Sequence, residues 1–531
     1  MSDDQASSYD ELPYGDNCFP YTHPDHLAAL GSLYGIDPPA VAHCRVLELG
    51  CAGGGNLIPM AAGLPAASFV GIDLSARQVA AGREIVNALG LSNIELVAMN
   101  LAEVDERFGT FDYVICHGVY SWVPEGVREK ILDICAGRLA PGGVAYVSYN
   151  TYPGWHARGL ARELMAYHVR RPSSALDRVR EARGFLDELV GVLPDQSSAY
   201  TRILRTEGEF LHGVENSYLY HEHLEETNHP CYFHEFVGRA EARGLRFLAE
   251  ARTPGLIGSL PPAAREALGR WAGDETATEQ YLDFLCNRTF RRTLLCRAER
   301  GRLPTPSPER VSALWVGTNV RPASPEPDVA GDAPEEFRKP EGAASLTTNS
   351  PLVKAALVVL YEVRPRTLGF EALWDGVRSR LGLGDDEEAR GALRAALLRC
   401  FLSNLVEFHT LPPRFAAQAG ARPRASALAR VQARAGGRVT NLRSRTLEPG
   451  GFDLVVLRLL DGRRDRAALL EALDALVASG EFTVHAGDEP VNDPAQIREA
   501  LAAELEPCLG RLAGLALLED DGADGGGTSP A

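Results

Sequence analysis

The first 150 or so residues predict a doubly wound, Rossmann-like α/β sheet. Three observations carry that prediction. Short β-branched runs alternate with stretches of helical spacing between Arg45 and Tyr149. The first run passes directly into a glycine-rich turn that opens a helix, VLELGCAGGGN, Val46 to Asn56. Polar side chains able to meet a ligand, Glu48, Asp73 and Asn100, stand at or near the ends of the first three runs.

In chain order the predicted strands are RVLELG, SFVGID, NIELVAM, FDYVIC and VAYVSY, which bound a first domain of residues 1–155. Residues 156–300 read as a mainly helical insertion and regulatory domain, in segments such as GLARELMAYHV and QYLDFLCNRTFRRTLLCR. Within it HEFVGRAEARGLRFLAEA has a helix, glycine, strand order that returns residues 244–252 to the first sheet. Prolines gather over 301–350 and predict an extended linker. Residues 351–412, three helical stretches running into LVEFHT, suit a winged-helix-like unit, 413–520 add an α/β C-terminal region, and 521–531 read as a disordered tail. A chain of 531 residues is too long for one core, so several domains are expected.

The glycine turn, with Gly50, Cys51, Gly53, Gly54 and Asn56, lets backbone approach a ligand closely, a property shared by several kinds of nucleotide-binding protein. Glu48 separates them. A carboxylate ahead of the glycines suits the ammonium group of a methionine moiety and repels a pyrophosphate, and no phosphate loop of the Gly-x-x-x-x-Gly-Lys type is present. Asp73, followed by Leu74, can accept both hydroxyls of a ribose, as in NAD-dependent domains, which remain the rival reading. Asn100 and the backbone N–H of Leu101 can meet an adenine edge. In these three strand ends the chain resembles the class I S-adenosylmethionine-dependent methyltransferases, where they contact methionine, ribose and adenine in that order. Asn100 departs from the family's usual Asp.

After the fourth strand His117, Tyr120 and Trp122 stand at the carboxyl edge, the expected place of the methyl acceptor, and His117 is also a cofactor-contact candidate. SYNTYPGW brings Tyr149, Asn150, Tyr152 and Trp155 to the same edge, where aromatic rings can hold cations. The Asn/Asp-Pro-Pro-Tyr/Phe element of many base-amine methylating enzymes is missing, which disfavours a nucleobase acceptor.

SYDELPYGDNCFPYTHPDHLAALGSLYGI, HGVYSWVP, SYNTYPGW and HEHLEETNHPCYFHEFVGRAEARGLRFLAEA together resemble the methyltransferases that carry a methyltransferase regulatory domain, a group that includes the rickettsial outer-membrane-protein lysine methyltransferases. The resemblance implies S-adenosyl-L-methionine as cofactor and a regulatory segment from about 215 to 300. It also implies an N-terminal arm in which Tyr14 and His23 fold over the cofactor and share the acceptor site. The expected activity is therefore methyl transfer to lysine side chains of a protein, with a small-molecule methyltransferase and a catalytically silent cofactor-binding regulator as alternatives.

His221, His223, His229 and His234 crowd together but lack the His-Glu-x-x-His spacing, so they read as structural and no metal is expected. Eight arginines and no acid between Phe408 and Leu447 form the one basic stretch of a chain with net charge -17. An intramolecular or solvated role is favoured there over nucleic acid. The acidic N-terminus, the absence of a long apolar run and ten cysteines without a Cys-x-x-Cys pair predict a cytoplasmic protein with reduced thiols, a protein substrate, no membrane partner, and homodimerisation as an open possibility.

Overall fold

The computed structural model describes residues 11–12, 17–171, 174–252, 260–303, 305–339, 345–486 and 489–520. Tyr14 and the tail 521–531 lie outside the described residues. All five predicted strands form: β1 Arg45–Leu49, β2 Ser68–Asp73, β3 Ile94–Ala98, β4 Phe111–Cys116 and β5 Leu139–Asn150. They run parallel, β1 beside β2 and β4, β2 beside β3, and β4 beside β5. Helices cover both faces, which is why the strands read as continuous apolar runs. Helix α1 is Pro24–Leu33, α2 Leu57–Gly63, α3 Ala76–Leu89 and α4 Glu125–Arg138.

The sheet does not end at residue 155. β6, Leu245–Glu250, joins it as expected, and it reaches the parallel strands through β7, Phe290–Arg297, in the order β3-β2-β1-β4-β5-β7-β6. β7 pairs antiparallel with both of its neighbours. The sequence reading placed β7 in a helical stretch. Its period-two pattern is hidden because an inward position is Arg291, 0% exposed and neutralised by Asp283, Glu250 and Glu279 at 2.8–3.0 Å. The helix before it stops at Asn287, which takes a left-handed φ of 48°.

Between β5 and β6 lie α5 Gly154–His168, α6 Ala175–Val192, α7 Ala199–His212, the short α8 Asn216–Leu219 running into a π turn Tyr220–Leu224, and α9 Phe233–Glu241. α5, α6, α7 and the π turn share one apolar core that includes Met165, Leu186, Leu204 and Leu224. α10 Pro262–Trp271 and α11 Glu275–Cys286 complete the insertion ahead of β7.

Residues 301–350 are not a free linker. They hold β8 Trp315–Thr318, β9 Arg321–Pro322, β10 Glu335–Arg338 and β11 Ser345–Thr348, and Val311, Val316, Val320 and Phe337 are buried in the core that backs one face of the large sheet. The prolines misled because several sit in turns, or on an edge strand such as β9, where a missing N–H costs little. β8 is the centre of a small antiparallel sheet, between β12 Leu368–Gly369 and β13 Val406–His409. Helices α12 Pro351–Glu362, α13 Phe370–Leu381 and α14 Glu387–Leu402 pack around it. From 413 the chain is mainly helical: α15 Ala427–Ala435, α16 Gly451–Leu459, α17 Arg466–Ala478 and α18 Pro494–Gly514, with the two-stranded ribbons β14 Val439–Thr440 with β15 Thr446–Leu447, and β16 His485–Ala486 with β17 Glu489–Pro490. No helix among the described residues is long and apolar enough to cross a membrane.

Candidate active site

The glycine turn after β1 is held from two sides. Gly50 and Cys51 donate their N–H groups to Ile72 O at 2.8 and 3.1 Å. Asp73, at the end of β2, accepts from Ala52 N at 2.8 Å and from Ser75 N at 2.9 Å. Each carboxylate oxygen has lone-pair capacity for more than one donor, so these bonds fix Asp73 without using it up. Gly50 has φ +76°, and a Cβ there would lie 2.3 Å from Val119 Cγ2 on the loop after β4. α3 presses equally close, since a Cβ on Gly82 would meet Gly53 O at 2.3 Å. Gly54 (φ +79°) closes the turn with a bond to Cys51 O.

Glu48 is 3% exposed. Its Oε1 accepts from Asn56 Nδ2 at 2.7 Å, whereas Oε2 is buried with no hydrogen-bond partner among the described residues. Burial pushes this carboxyl up to about 8, against the lowering bond from Asn56. A buried oxygen without a donor is costly, and an ammonium group placed there would satisfy it. Asn100 caps a short turn by accepting from Ala102 N at 3.0 Å, with Leu101 buried behind it and Leu74 half-buried next to Asp73. The three strand ends and the turn thus line one edge of the sheet.

An arm from the N-terminus covers that edge. Phe19 N donates to Asn56 Oδ1 at 2.9 Å, and Asn56 Nδ2 reaches Thr22 Oγ1 at 3.0 Å, so the side chain that holds Glu48 also holds the arm. The Phe19 ring lies 4.0 Å from that of His117, and Tyr21 lies 5.9 Å from it. His117 Nδ1 is 2.9 Å from Tyr146 Oη and 3.1 Å from Ser148 Oγ. Burial and the Arg292 charge lower its pKa to about 3. His117 is therefore a neutral wall of this site. Phe19, Tyr21, Thr22 and Ser148 were not singled out from sequence, because nothing in CFPYTHP distinguishes a covering arm from any other N-terminal segment.

Two catalytic candidates fall elsewhere. Tyr120 packs edge-on to Phe236 at 5.2 Å and against Tyr149 at 6.0 Å, in the core of the opposite sheet face, and burial raises its pKa to about 12. It stays a phenol. His23 caps α1, accepting from Asp25 N at 3.2 Å, and burial lowers its pKa to about 4. Along this edge the arm is represented by Phe19, Tyr21 and Thr22, whereas the expected lid residue Tyr14 lies outside the described residues. Tyr120 thus sits in a core and His23 at a helix cap, apart from the ring contacts of Phe19 and Tyr21 with His117. Trp122 does reach the carboxyl edge, edge-on to Trp155 at 6.3 Å. Asn150 ties this edge together, taking Ser121 Oγ with its N–H and Asn228 Oδ1 with its amide. Tyr152 stacks on His156 at 4.2 Å.

The histidine cluster disperses. His221 meets Leu12 O and Glu225, His234 meets Gln280, and His229 is tied to Ser121 O through its N–H. Among the basic stretch, Arg438, Arg443 and Arg445 bind Glu215, Pro365 O and Glu407 within the chain.

This arrangement can be set beside known proteins. A methyltransferase domain model matches residues 46–143, a predicted methyltransferase regulatory domain matches 215–297, and the C-terminal winged helix domain of PKMT matches 421–517. The winged-helix match thus falls C-terminal to residues 351–412, where the sequence reading put such a unit. The uncharacterized protein RP789 of Rickettsia prowazekii is 34% identical over 517 residues, 96% of this chain and 93% of that protein. The chain belongs to the class I S-adenosylmethionine-dependent methyltransferases that carry a methyltransferase regulatory domain. A second Rickettsia prowazekii protein, RP028, is 35% identical over 241 residues, 45% of this chain and 96% of its own. The structure of PKMT2 from Rickettsia typhi in complex with AdoHcy superposes with a TM-score of 0.85 at 29% identity, covering 95% of this chain and 100% of that one. The chain is a methyltransferase enzyme of this family, and its cofactor is S-adenosylmethionine.

Proposed function

We propose that this methyltransferase acts on lysine side chains of a protein substrate. The observation that carries the reading is the likeness, over 95% of the chain, to Rickettsia typhi PKMT2, whose name denotes a protein lysine methyltransferase. When bound, S-adenosylmethionine supplies an electrophilic methyl group on a cationic sulfonium.

The chain's own residues then divide the work. Glu48 Oε2 receives the methionine ammonium, Asp73 the ribose hydroxyls, and Asn100 with the Leu101 N–H the adenine edge. Gly50, Cys51, Gly53 and Gly54 give the close backbone approach, and Asn56 locks both Glu48 and the arm. Phe19, Tyr21 and His117 exclude water from the methyl-bearing end, which favours alignment of the acceptor over hydrolysis and strengthens local electrostatics. A lysine of pKa about 10.4 is neutral in only about one molecule in 2,500 at pH 7. Low-dielectric walls help by disfavouring the ammonium form.

The test is incubation of the purified protein with methyl-labelled S-adenosylmethionine and a cell lysate divided into protein, RNA and small-molecule fractions, with Asp73→Ala as control. Label that enters protein and maps to lysine is expected. Label confined to small molecules would overturn the reading.

A further inference from the structure

Next to the ends of β4 and β5 lies a second group of buried polar atoms that the cofactor contacts leave unused. Glu207 on α7 is 8% exposed, His223 in the π turn 0%, and Trp155 at the start of α5 2%. Among the described residues Glu207 Oε1, both ring nitrogens of His223 and Trp155 Nε1 have no hydrogen-bond partner. They face one another: Glu207 Oε1 is 3.5 Å from His223 Nε2 and 3.8 Å from Arg158 Nε. The Trp155 ring is 6.3 Å from those of His223 and Trp122, and the Tyr218 ring is 6.5 Å from that of His223. These long ion pairs leave the buried atoms without hydrogen bonds, and folded chains seldom bury so many such atoms together unless something else meets them.

Place and chemistry agree on what that is. Trp122 closes the turn five residues after His117, and Trp155 follows the end of β5 by five, so both stand at the carboxyl edge where ligands of such sheets bind. His223 sits in a π turn, an irregularity that recurs at functional sites. The segment after that turn is pinned to the same edge by His229 N to Ser121 O and Asn150 Nδ2 to Asn228 Oδ1. Indole walls with a carboxylate at the end suit a cation on an apolar stem.

Resting on the lysine reading above, we propose that this buried cluster receives the acceptor lysine, with Trp122 and Trp155 beside its stem and Glu207 as the group that takes the proton from its ammonium. One N–H bond breaks and leaves its electron pair on nitrogen, an O–H bond forms on Glu207, and the amine is then the nucleophile; Glu207 afterwards returns the proton to solvent. The His223 ring lies beside the carboxyl, its Nε2 3.5 Å from Glu207 Oε1. The groups facing the incoming ammonium are Glu207, His223, Arg158, Arg162 and Tyr218. Burial raises the Glu207 carboxyl above its ordinary range against the pull of Arg158, and burial with Arg158 and Arg162 keeps His223 neutral. Both arginines also repel an ammonium, so proton loss is favoured as the lysine enters.

The probe is n-butylammonium, a lysine side chain without its backbone, titrated into the full-length protein saturated with AdoHcy and followed by tryptophan fluorescence. Saturable binding is expected, weakened about ten- to a hundredfold in Glu207→Gln, and weakened also in Trp155→Phe, with AdoHcy affinity unchanged in both. No saturable response, or Glu207→Gln binding like wild type, overturns the proposal. A second readout is the pH profile of lysine labelling in the lysate protein fraction. Glu207→Gln should rise about tenfold per pH unit toward the amine pKa while the wild type levels off, and parallel profiles would show Glu207 to be structural. Lysine labelling by wild type with unchanged variants overturns this inference alone, whereas no lysine label from wild type overturns it together with the reading on which it rests.

Discussion

Glu48 couples protonation to binding. With its pKa raised by burial to about 8, the folded apo chain holds a proton that the unfolded chain releases in the ordinary carboxylate range, near 4.3. Between those values the native state binds more protons, so apo stability falls as pH rises and the loss is complete above about 8. A cationic ligand reverses the preference and ionises the carboxyl. AdoHcy binding at pH 7 should therefore release a proton, seen as a calorimetric enthalpy that varies with the ionisation heat of the buffer. Glu48→Gln should abolish that proton, weaken AdoHcy about ten- to a hundredfold as a charged hydrogen bond is lost, and leave the apo protein more stable than wild type at pH 8. A variant that binds as tightly as wild type would remove Glu48 from the ammonium site. Glu48 was legible because an acid ahead of a glycine turn is chemically odd. Glu207 was not: in TRILRTEGEF a glutamate reads as one more solvated helix residue, and only the fold shows it buried against His223.

At the scale of elements, legibility followed how far burial obeyed polarity. β1 to β5 announce themselves because most inward positions are apolar, as in β1, where Val46, Leu47 and Leu49 are buried and the single buried acid, Glu48, faces the cofactor edge. β7 breaks that rule at Arg291, and β6, though foreseen, joins the sheet only through it. Arg291 lies against Asp283 at 2.8 Å and Glu250 at 2.9 Å, with its guanidinium 3.9 Å from the Phe233 ring centroid. Removing it strands carboxylates in the interior, and breaking a buried pair in this way typically costs about 3–5 kcal/mol. Arg291→Ala should lower the unfolding free energy by that amount, read from the shift in denaturant midpoint, and the added double variant Arg291→Met with Asp283→Leu should recover part of it. Equal loss in both would mean that packing of the arginine stem, not charge, holds β7 in place.

Across the whole molecule, the C-terminal half holds the arm that covers the cofactor edge, at both of its ends. Cys18 N donates to Thr446 Oγ1 at 3.3 Å. Asp25, just past the arm in α1, accepts from Thr410 N at 2.6 Å and Leu411 N at 3.2 Å and pairs with His409 Nδ1 at 2.7 Å. Between those anchors Phe19 and Thr22 reach Asn56. Burial alone would lower the His409 pKa, but its bonds to Asp25 and Glu407 together outweigh that and raise it to about 9, while the Asp25 carboxyl is held near 2. A histidine pKa raised on folding contributes stability that is fully present below about 6.5 and is lost as pH rises through about 9. The difference in melting temperature between wild type and His409→Gln should accordingly shrink over that window. Because the clamp acts on the arm, the same variant should weaken AdoHcy binding several-fold at pH 7 and hardly at all at pH 10, although His409 contacts none of the residues of the glycine turn. A pH-independent difference would mean that the C-terminal half and the cofactor edge are joined by packing alone.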